Sequence, residues 1–197
     1  MTPRRAVLWI VVFTALAAGG GGLLSCGEVS EQGPSERPGQ RLDGRVTKIV
    51  DGDTIHVRIG GRREKIRYIG VDTPETHKPG TPVQCYGRAA SAFNARLLAG
   101  RRVELRTDAE TRDRYGRLLA YVYRRPDGLF VNAELVRRGF ATILTIPPNV
   151  AHAEQFLRLQ RAARQAGRGL WAACLRRYQA ILADYVTLTG GRVFDGL

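Results

Sequence analysis

The sequence predicts an α+β fold in which three helices pack against a five-stranded β-barrel. Short stretches that alternate apolar and polar residues predict strands, and stretches with apolar residues three and four apart predict helices. Turns that contain glycine or proline separate these stretches. The resulting order is βββ-α-ββ-α-α, which is typical of an OB barrel. A chain of 197 residues that is 44% apolar can also form a hydrophobic core, which excludes a disordered protein.

The first three predicted strands are connected by two tight turns. The stretch KIVDGDTIHVRI, residues 48–59, reads as strand on both sides of its Asp-Gly-Asp centre. The pair of glycines at 60–61 predicts a hairpin turn, after which residues 64–71 continue as a strand. Residues 72–85 contain three prolines and are predicted to form a loop.

The second half of the predicted fold contains all three helices and the last two strands. The predicted helices cover residues 86–100, 132–139 and 149–171, and the predicted strands cover residues 101–107 and 116–128. Gly100 is expected to end the first helix, and Asn132 is expected to cap the second. A Pro-Asp-Gly turn closes the last strand.

The net charge of +13 indicates a polyanionic partner, either nucleic acid or an anionic membrane surface. The charges of residues 1–25 and 26–43 cancel, so the basic excess belongs to residues 44–197. An arginine-rich composition that reflects only the base composition of the source organism is the alternative interpretation.

Residues 1–25 have the form of a secretory signal, because two arginines precede an uncharged run that ends in small residues. The run ends in LLSC, which resembles the lipobox of bacterial lipoproteins, so Cys26 is expected to be acylated. An uncleaved membrane anchor and ordinary secretion are the alternatives. All three place the folded domain outside the cytoplasm, and the polar residues 26–43 read as a flexible tether to the membrane.

The three cysteines are consistent with export. If Cys26 carries lipid, Cys85 and Cys174 remain as an even pair, which could form a disulfide in an oxidising compartment. Two unrelated buried thiols are the alternative.

Three stretches concentrate acidic residues and arginines where predicted loops meet strands: DGDT at 51–54, RYIGVDTPET at 67–76 and DRYGR at 113–117. Hard divalent cations bind carboxylate and carbonyl oxygens, and the arginine fork matches phosphate oxygens. This combination predicts attack on a phosphodiester. In such a reaction a metal polarises the phosphate, arginines stabilise the developing charge and a carboxylate activates water.

Four motifs, in this order and spacing, resemble the staphylococcal nuclease (thermonuclease) family. They are DGDT, R-x4-DTPET, YG-x3-SAF and D-x-YGRxLAYVY. The resemblance extends from about Gly44 to Trp171. The fold of that family is an OB barrel with helices, which agrees with the order of elements above.

The resemblance implies calcium-dependent hydrolysis of DNA and RNA that leaves 3′-phosphates. Asp53 and Asp72 match the calcium-binding aspartates of the family, and Thr73 supplies a backbone carbonyl to the metal. Glu75 matches the carboxylate that activates water. The arginines that grip the scissile phosphate correspond to Arg67 and Arg117, and the residues near a nucleotide phosphate correspond to Arg114 and Tyr115.

The chain departs from the family archetype at Thr145, where the archetype has a tyrosine close to the base of the bound nucleotide. Stacking of a base on an aromatic ring contributes roughly 1–3 kcal/mol, so nucleotide affinity is expected to differ. We expect a monomeric nuclease domain over residues 44–174 and assign no role to the extension 175–197. There are two competing interpretations. The protein could be a catalytically inactive barrel that binds nucleic acid or protein, or it could be a structural envelope lipoprotein.

Overall fold

The computed structural model of the protein describes residues 36–76, 80, 82–176 and 179–180. The predicted signal at residues 1–25, the predicted lipidation site at Cys26 and residues 181–197 of the predicted extension lie outside the described residues. No helix in the described part of the chain is long and apolar enough to cross a membrane.

Five strands form a closed barrel, which confirms the predicted fold class. The seven strands of the structure are β1 (Arg41–Ile49), β2 (Thr54–Ile59), β3 (Arg62–Tyr68), β4 (Gly70–Asp72), β5 (Arg102–Arg106), β6 (Leu118–Arg124) and β7 (Thr142–Leu144). The barrel order is β1-β2-β3-β6-β5, with β5 pairing back to β1. All barrel pairs are antiparallel except β3 and β6, which are parallel.

The barrel interior is filled by the inward-facing residues of the strands. Ile55 and Val57 of β2, Ile66 of β3 and Leu105 of β5 are fully buried, as the alternating pattern of the sequence requires. Burying a side chain of this size contributes about 1.5–3 kcal/mol. The outward-facing positions of the same strands are polar, and they carry most of the charged residues used below.

The stretch predicted as one strand over residues 64–71 is two strands, so that prediction was wrong in detail. Gly70 has a φ of 79° and begins β4, which leaves the barrel and pairs with β7. A Cβ at Gly70 would lie 2.4 Å from the ring of Phe156, so only glycine fits between the strand and that ring. The bend therefore takes β4 out of the barrel, while Asp72 at its end stays in contact with Arg67 of β3.

Three helices pack on the barrel: α1 (Gly87–Leu98), α2 (Val131–Arg137) and α3 (Ala153–Gln165). The third is shorter than predicted, because Gly167 and Gly169 both have positive φ and interrupt it before a further helical stretch at residues 170–176. Asn132 is not the N-cap of α2, which is Phe130. Instead the buried Asn132 side chain accepts a hydrogen bond from the Val122 backbone at 2.9 Å.

The folded domain begins before the predicted boundary at Gly44. Strand β1 starts at Arg41, inside the range predicted as tether. Glu36 forms an ion pair with Arg112, and the Arg37 carbonyl accepts a 2.7 Å hydrogen bond from the Thr107 hydroxyl. Residues 36–43 are therefore held on the barrel.

A disulfide joins Cys85 and Cys174, whose Cα atoms are 5.8 Å apart. It links the residues that precede α1 to the helical stretch at 170–176, across 89 positions of sequence.

Candidate active site

Asp53 is a buried carboxylate at the start of β2. Its Oδ2 accepts hydrogen bonds from the Thr73 backbone N–H at 2.7 Å and from the Thr73 hydroxyl at 2.9 Å. Its Oδ1 accepts a third from the Thr54 hydroxyl at 3.0 Å. Since a buried polar group costs much free energy unless it is hydrogen-bonded, these contacts compensate the burial of the Asp53 oxygens and hold the side chain in one orientation.

Arg67 joins the two aspartates that are predicted to bind the metal. One guanidinium nitrogen lies 3.2 Å from Asp53 Oδ1, and the other lies 2.7 Å from Asp72 Oδ1. The first nitrogen also donates to the Val71 carbonyl at 2.8 Å. The bend at Gly70 thus brings Asp72 back to the guanidinium on β3, and the structure places Asp53, Arg67 and Asp72 in one cluster.

The Asp-Gly-Asp turn is braced by α1. The carboxylate of Asp51 accepts the Asp53 backbone N–H at 3.0 Å, and the Asp51 carbonyl accepts the Asn94 amide at 2.9 Å. Asn94 in turn accepts the buried Tyr68 hydroxyl at 3.0 Å. Burial and the nearby charge of Asp53 raise the pKa of Asp51 to about 6. Asp51 is half-buried and shapes the turn.

Gly52 is required at this turn by a close contact. A Cβ at Gly52 would lie 2.7 Å from the Thr73 side chain, which is the partner of Asp53. Such a distance is not tolerated, so a larger residue would push Thr73 off the Asp53 carboxylate.

Negative charge accumulates around Asp72. Burial raises the pKa of Asp72 above its usual value, the charges of Asp53 and Glu75 raise it further, and Arg67 offsets only part of this. The three predicted carboxylates therefore lie close enough to repel one another. A site with this charge excess favours a bound cation.

Glu75 lies on a loop that is fixed by its backbone. Its N–H donates to the Gln84 side chain at 2.8 Å, and its carbonyl accepts the Gln84 N–H at 2.9 Å. Gly87 opens α1 against the same loop, where a Cβ would lie 2.9 Å from the Glu75 carbonyl. The Glu75 carboxylate accepts the Thr76 N–H at 3.2 Å.

Arg117 is oriented by Asp113, which the sequence analysis did not single out. The Asp113 carboxylate accepts hydrogen bonds from the Arg117 Nε at 2.7 Å and from the backbone N–H groups of Tyr115 and Arg117 at 2.9 and 3.0 Å. It therefore sets the conformation of the loop and the direction of the guanidinium. The signal available in the sequence was the acid four residues before Arg117.

Tyr115 is an exposed aromatic ring between two arginines. The guanidinium carbons of Arg114 and Arg117 lie 4.8 and 5.5 Å from its ring centroid. Arg114 also donates to the Tyr115 hydroxyl at 2.7 Å. The ring can stack on a base, and the flanking cations can bind phosphate.

A cleft of about 500 Å³ brings the predicted cationic residues together. Its lining includes Arg67, Arg114 and Arg117, together with Tyr115. The sequence analysis missed Leu144 and Ile146, two exposed apolar residues that also line the cleft and flank Thr145. Leu144 is the last residue of β7 and Ile146 follows the strand, whose pairing with β4 could not be read from local periodicity.

The residues fit a hard cation by their chemistry. Asp53 and Asp72 offer carboxylate oxygens and already share one positive group, Arg67. An all-oxygen donor set suits calcium or magnesium, whereas zinc sites usually include Cys or His. In the described residues no three His, Cys, Asp or Glu side chains converge tightly enough to hold a metal alone, so other oxygens would complete its coordination.

Comparison with known proteins gives a consistent result. A family described as "Staphylococcal nuclease homologue" matches residues 65–173. The chain is similar to a thermonuclease of Staphylococcus hyicus, with 38% identity over 154 residues that cover 76% of this chain and 90% of that protein. It is 40% identical to a thermonuclease of Staphylococcus intermedius over 146 residues, covering 73% and 86%. It is also 39% identical to Endonuclease YncB of Bacillus subtilis over 129 residues, covering 64% and 60%.

Proposed function

Because the chain belongs to the staphylococcal nuclease family, we propose that it is a calcium-dependent nuclease that hydrolyses the phosphodiester bonds of DNA and RNA and leaves 3′-phosphate ends. The observation that carries this proposal is the contact of Arg67 with both Asp53 and Asp72, at the edge of a cleft that Arg117 also lines. Cations for a phosphate and carboxylates for a metal thus meet at one place.

The arginines bind the scissile phosphate. Arg67 and Arg117 both line the cleft, and a guanidinium can donate two parallel hydrogen bonds to phosphate oxygens. As the phosphate becomes pentacoordinate it gains negative charge, which these fixed cations stabilise without reorganisation. Asp113 keeps Arg117 directed at the cleft.

Asp53, Asp72 and the Thr73 carbonyl are the residues that would hold calcium. When bound, the ion supplies Lewis-acid polarisation of a phosphate oxygen. The chain's own contribution is to fix these oxygens: Thr73 and Thr54 hydrogen-bond Asp53, and the β4–β7 pairing positions Asp72.

Glu75 is the proposed base that takes a proton from the attacking water. Its loop is fixed by Gln84 and by the start of α1, while its carboxylate is only partly buried. A carboxylate held this way can accept a proton in the transition state, which typically contributes 10²–10⁴-fold.

We also propose that the domain works outside the cytoplasm as a monomer, tethered by lipid at Cys26 or secreted. The disulfide supports an oxidising compartment, since such bonds persist in exported proteins and are rare in the cytosol. Mass spectrometry of the mature N-terminus tests the lipid.

The central experiment is cleavage of DNA and RNA by the full-length protein with added calcium or with excess chelator. We expect cleavage that the chelator abolishes and re-added calcium restores, with end-labelled products that carry 3′-phosphates. Folded protein that cleaves neither polymer, from micromolar to millimolar calcium, would contradict the proposal and favour an inactive binding barrel.

A further inference from the structure

Four arginines lie side by side across the outer surface of the barrel, on four neighbouring strands. Arg45 of β1 pairs in register with Arg102 of β5 on one side and with Arg58 of β2 on the other. Arg58 pairs in turn with Arg63 of β3. Residues that are directly opposite point to the same face, with their Cβ atoms about 5 Å apart. We call Arg102, Arg45, Arg58 and Arg63 the arginine row.

The charges of the arginine row are not neutralised within the described part of the chain. All four side chains are exposed, none forms an ion pair there, and the one side-chain hydrogen bond is from Arg45 to the Gly100 carbonyl at 3.0 Å. Two residues along β1 and β5 from Arg45 and Arg102, Asp43 and Glu104 form the next pair on this face. These acids already have partners, because Arg125 contacts both of them and Arg106 contacts Glu104. Like charges directly opposite destabilise a sheet, so the row has a cost that an external anion would relieve.

A second set of basic residues lies next to the arginine row. Lys48, His56 and Lys65 are paired in register across β1, β2 and β3. Burial lowers the pKa of His56, and the charges of Arg63, Lys65 and Lys48 lower it further. The imidazole therefore lies within the positive potential of Arg63, Lys65 and Lys48.

The basic surface continues into the cleft along β3. Arg63, Lys65 and Arg67 occupy alternate positions of this strand and therefore share its outer face. Alternate residues of a strand are about 6.7 Å apart, which is close to the separation of successive phosphates in an extended single strand. Arg67 lies at the cleft and contacts Asp72. The arginine row is thus joined to the site by a line of cations.

We propose that the arginine row binds the phosphate backbone of the nucleic-acid strand that leaves the cleft along β3. This inference rests on the proposed nuclease function and names how its polymeric substrate is held. The row acts as a second binding surface that increases affinity for long chains and does not take part in the bond cleavage. An anionic membrane would also contact arginines, but it would not require the continuous line from Arg63 to Arg67.

The test compares two triple variants that lose the same charge. The row variant is Arg45→Gln, Arg58→Gln and Arg63→Gln in the full-length protein. The control variant is Arg158→Gln, Arg161→Gln and Arg164→Gln, three exposed arginines of α3 that line no part of the described cleft. Binding of a long single-stranded oligonucleotide is measured in chelator at several salt concentrations. Each phosphate contact contributes about 0.7 to the salt slope for a single strand.

We expect the row variant to bind the oligonucleotide at least about tenfold more weakly, with a slope smaller by about 2. The control variant should change much less in both measurements. In calcium, the row variant should cleave a substrate with a single phosphodiester bond as fast as the unchanged protein, and long DNA more slowly. Because binding is measured without cleavage, a protein that binds but does not cut refutes the proposed function and leaves this inference standing.

Three results would overturn the inference. Equal losses in the row and control variants would show that only net charge matters. If the row variant binds the oligonucleotide as tightly as the unchanged protein does, the arginine row is not a binding surface. Loss of binding to phosphatidylserine vesicles, with oligonucleotide binding intact, would assign the arginine row to the membrane.

Discussion

The carboxylate of Glu75 is exposed enough to meet water, while its backbone is fixed by Gln84 and α1. We expect Glu75→Gln to lower kcat on DNA by at least roughly 10²-fold, because the amide cannot accept the proton. The midpoint of thermal unfolding should not change, since Gln has the same size and shape. A near-normal kcat in the folded variant would show that Glu75 is not the base that accepts the proton.

Asp113 is a positioning residue, because it acts through its contacts with Arg117. Asp113→Asn removes the charge that fixes the Arg117 guanidinium, so we expect kcat/KM to fall about tenfold or more. The matched control is Asp127→Asn, which breaks an exposed ion pair with Arg124 on the turn after β6. Steady-state kinetics should show no change for the control, and equal losses in both variants would contradict the positioning role.

The site residues were identified from motifs, but their contacts were not. The spacing of the motifs identified Asp53, Arg67 and Asp72 as site residues. That the Arg67 guanidinium contacts both aspartates could not be predicted, because this contact depends on the bend at Gly70. Asn132 shows the converse. An asparagine at the start of a helix is expected to cap it. The Asn132 side chain instead accepts a hydrogen bond from the backbone N–H of Val122, 10 positions away. Tertiary contacts of this kind leave no local pattern.

Two glycines let the end of α2 contact the segment that follows α3. Gly139 and Gly169 both have positive φ, and the Leu170 N–H donates to the Gly139 carbonyl at 2.8 Å. A Cβ at Gly139 would lie 2.2 Å from the Arg168 carbonyl oxygen. The backbones pack directly against each other here, so neither position tolerates a side chain.

We therefore expect Gly139→Ala to lower the free energy of unfolding by about 3 kcal/mol, which combines left-handed strain with overpacking. Gly128 is the matched control, because its φ is 68° and a Cβ there would meet nothing within 4 Å. Gly128→Ala should cost only about 1 kcal/mol. Urea unfolding of both variants measures the difference, and equal costs would show that the contact is unimportant.

At the level of elements, periodicity predicted which segments are strands and helices, and it failed at their ends. In residues 64–71 the alternation stops at Tyr68, because the apolar Ile69 follows it directly, and the prediction did not use this irregularity as a boundary. That β4 leaves the barrel at Gly70, where Phe156 leaves no room for a Cβ, has no local signal. The helix predicted over residues 149–171 likewise ends early, at Gln165. There the glycines at 167 and 169 were visible in the sequence, and they indicated a boundary that the prediction did not use.

For the whole molecule, the disulfide is expected to be a large contribution to stability. It closes a loop across 89 positions, for which the chain-entropy model gives somewhat over 4 kcal/mol. We expect reduction, or the double change Cys85→Ser and Cys174→Ser, to lower the midpoint of thermal unfolding markedly. Calorimetry with and without reductant measures this, and the double variant should no longer respond to reductant. An unchanged midpoint would mean that packing alone holds the C-terminal helical stretch.

The order of strands and helices was enough to predict the closed barrel, because few arrangements accommodate a helix between the third and fourth barrel strands. The parallel pairing of β3 with β6 joins segments about 50 residues apart, and only the fold-level pattern pointed to it. The basic excess was also visible in the composition, but the register that aligns Arg102, Arg45, Arg58 and Arg63 was not.

The disulfide also makes residues 85–174 a covalent ring. Arg114, Tyr115 and Arg117 lie on the ring, whereas Asp53, Arg67, Asp72 and Glu75 lie on the arm that leads into it. A protease that cuts the ring once, at any exposed turn, leaves every residue of the site in one covalently connected molecule. A single nick would therefore open the ring without separating Arg114, Tyr115 and Arg117 from the carboxylates of the site.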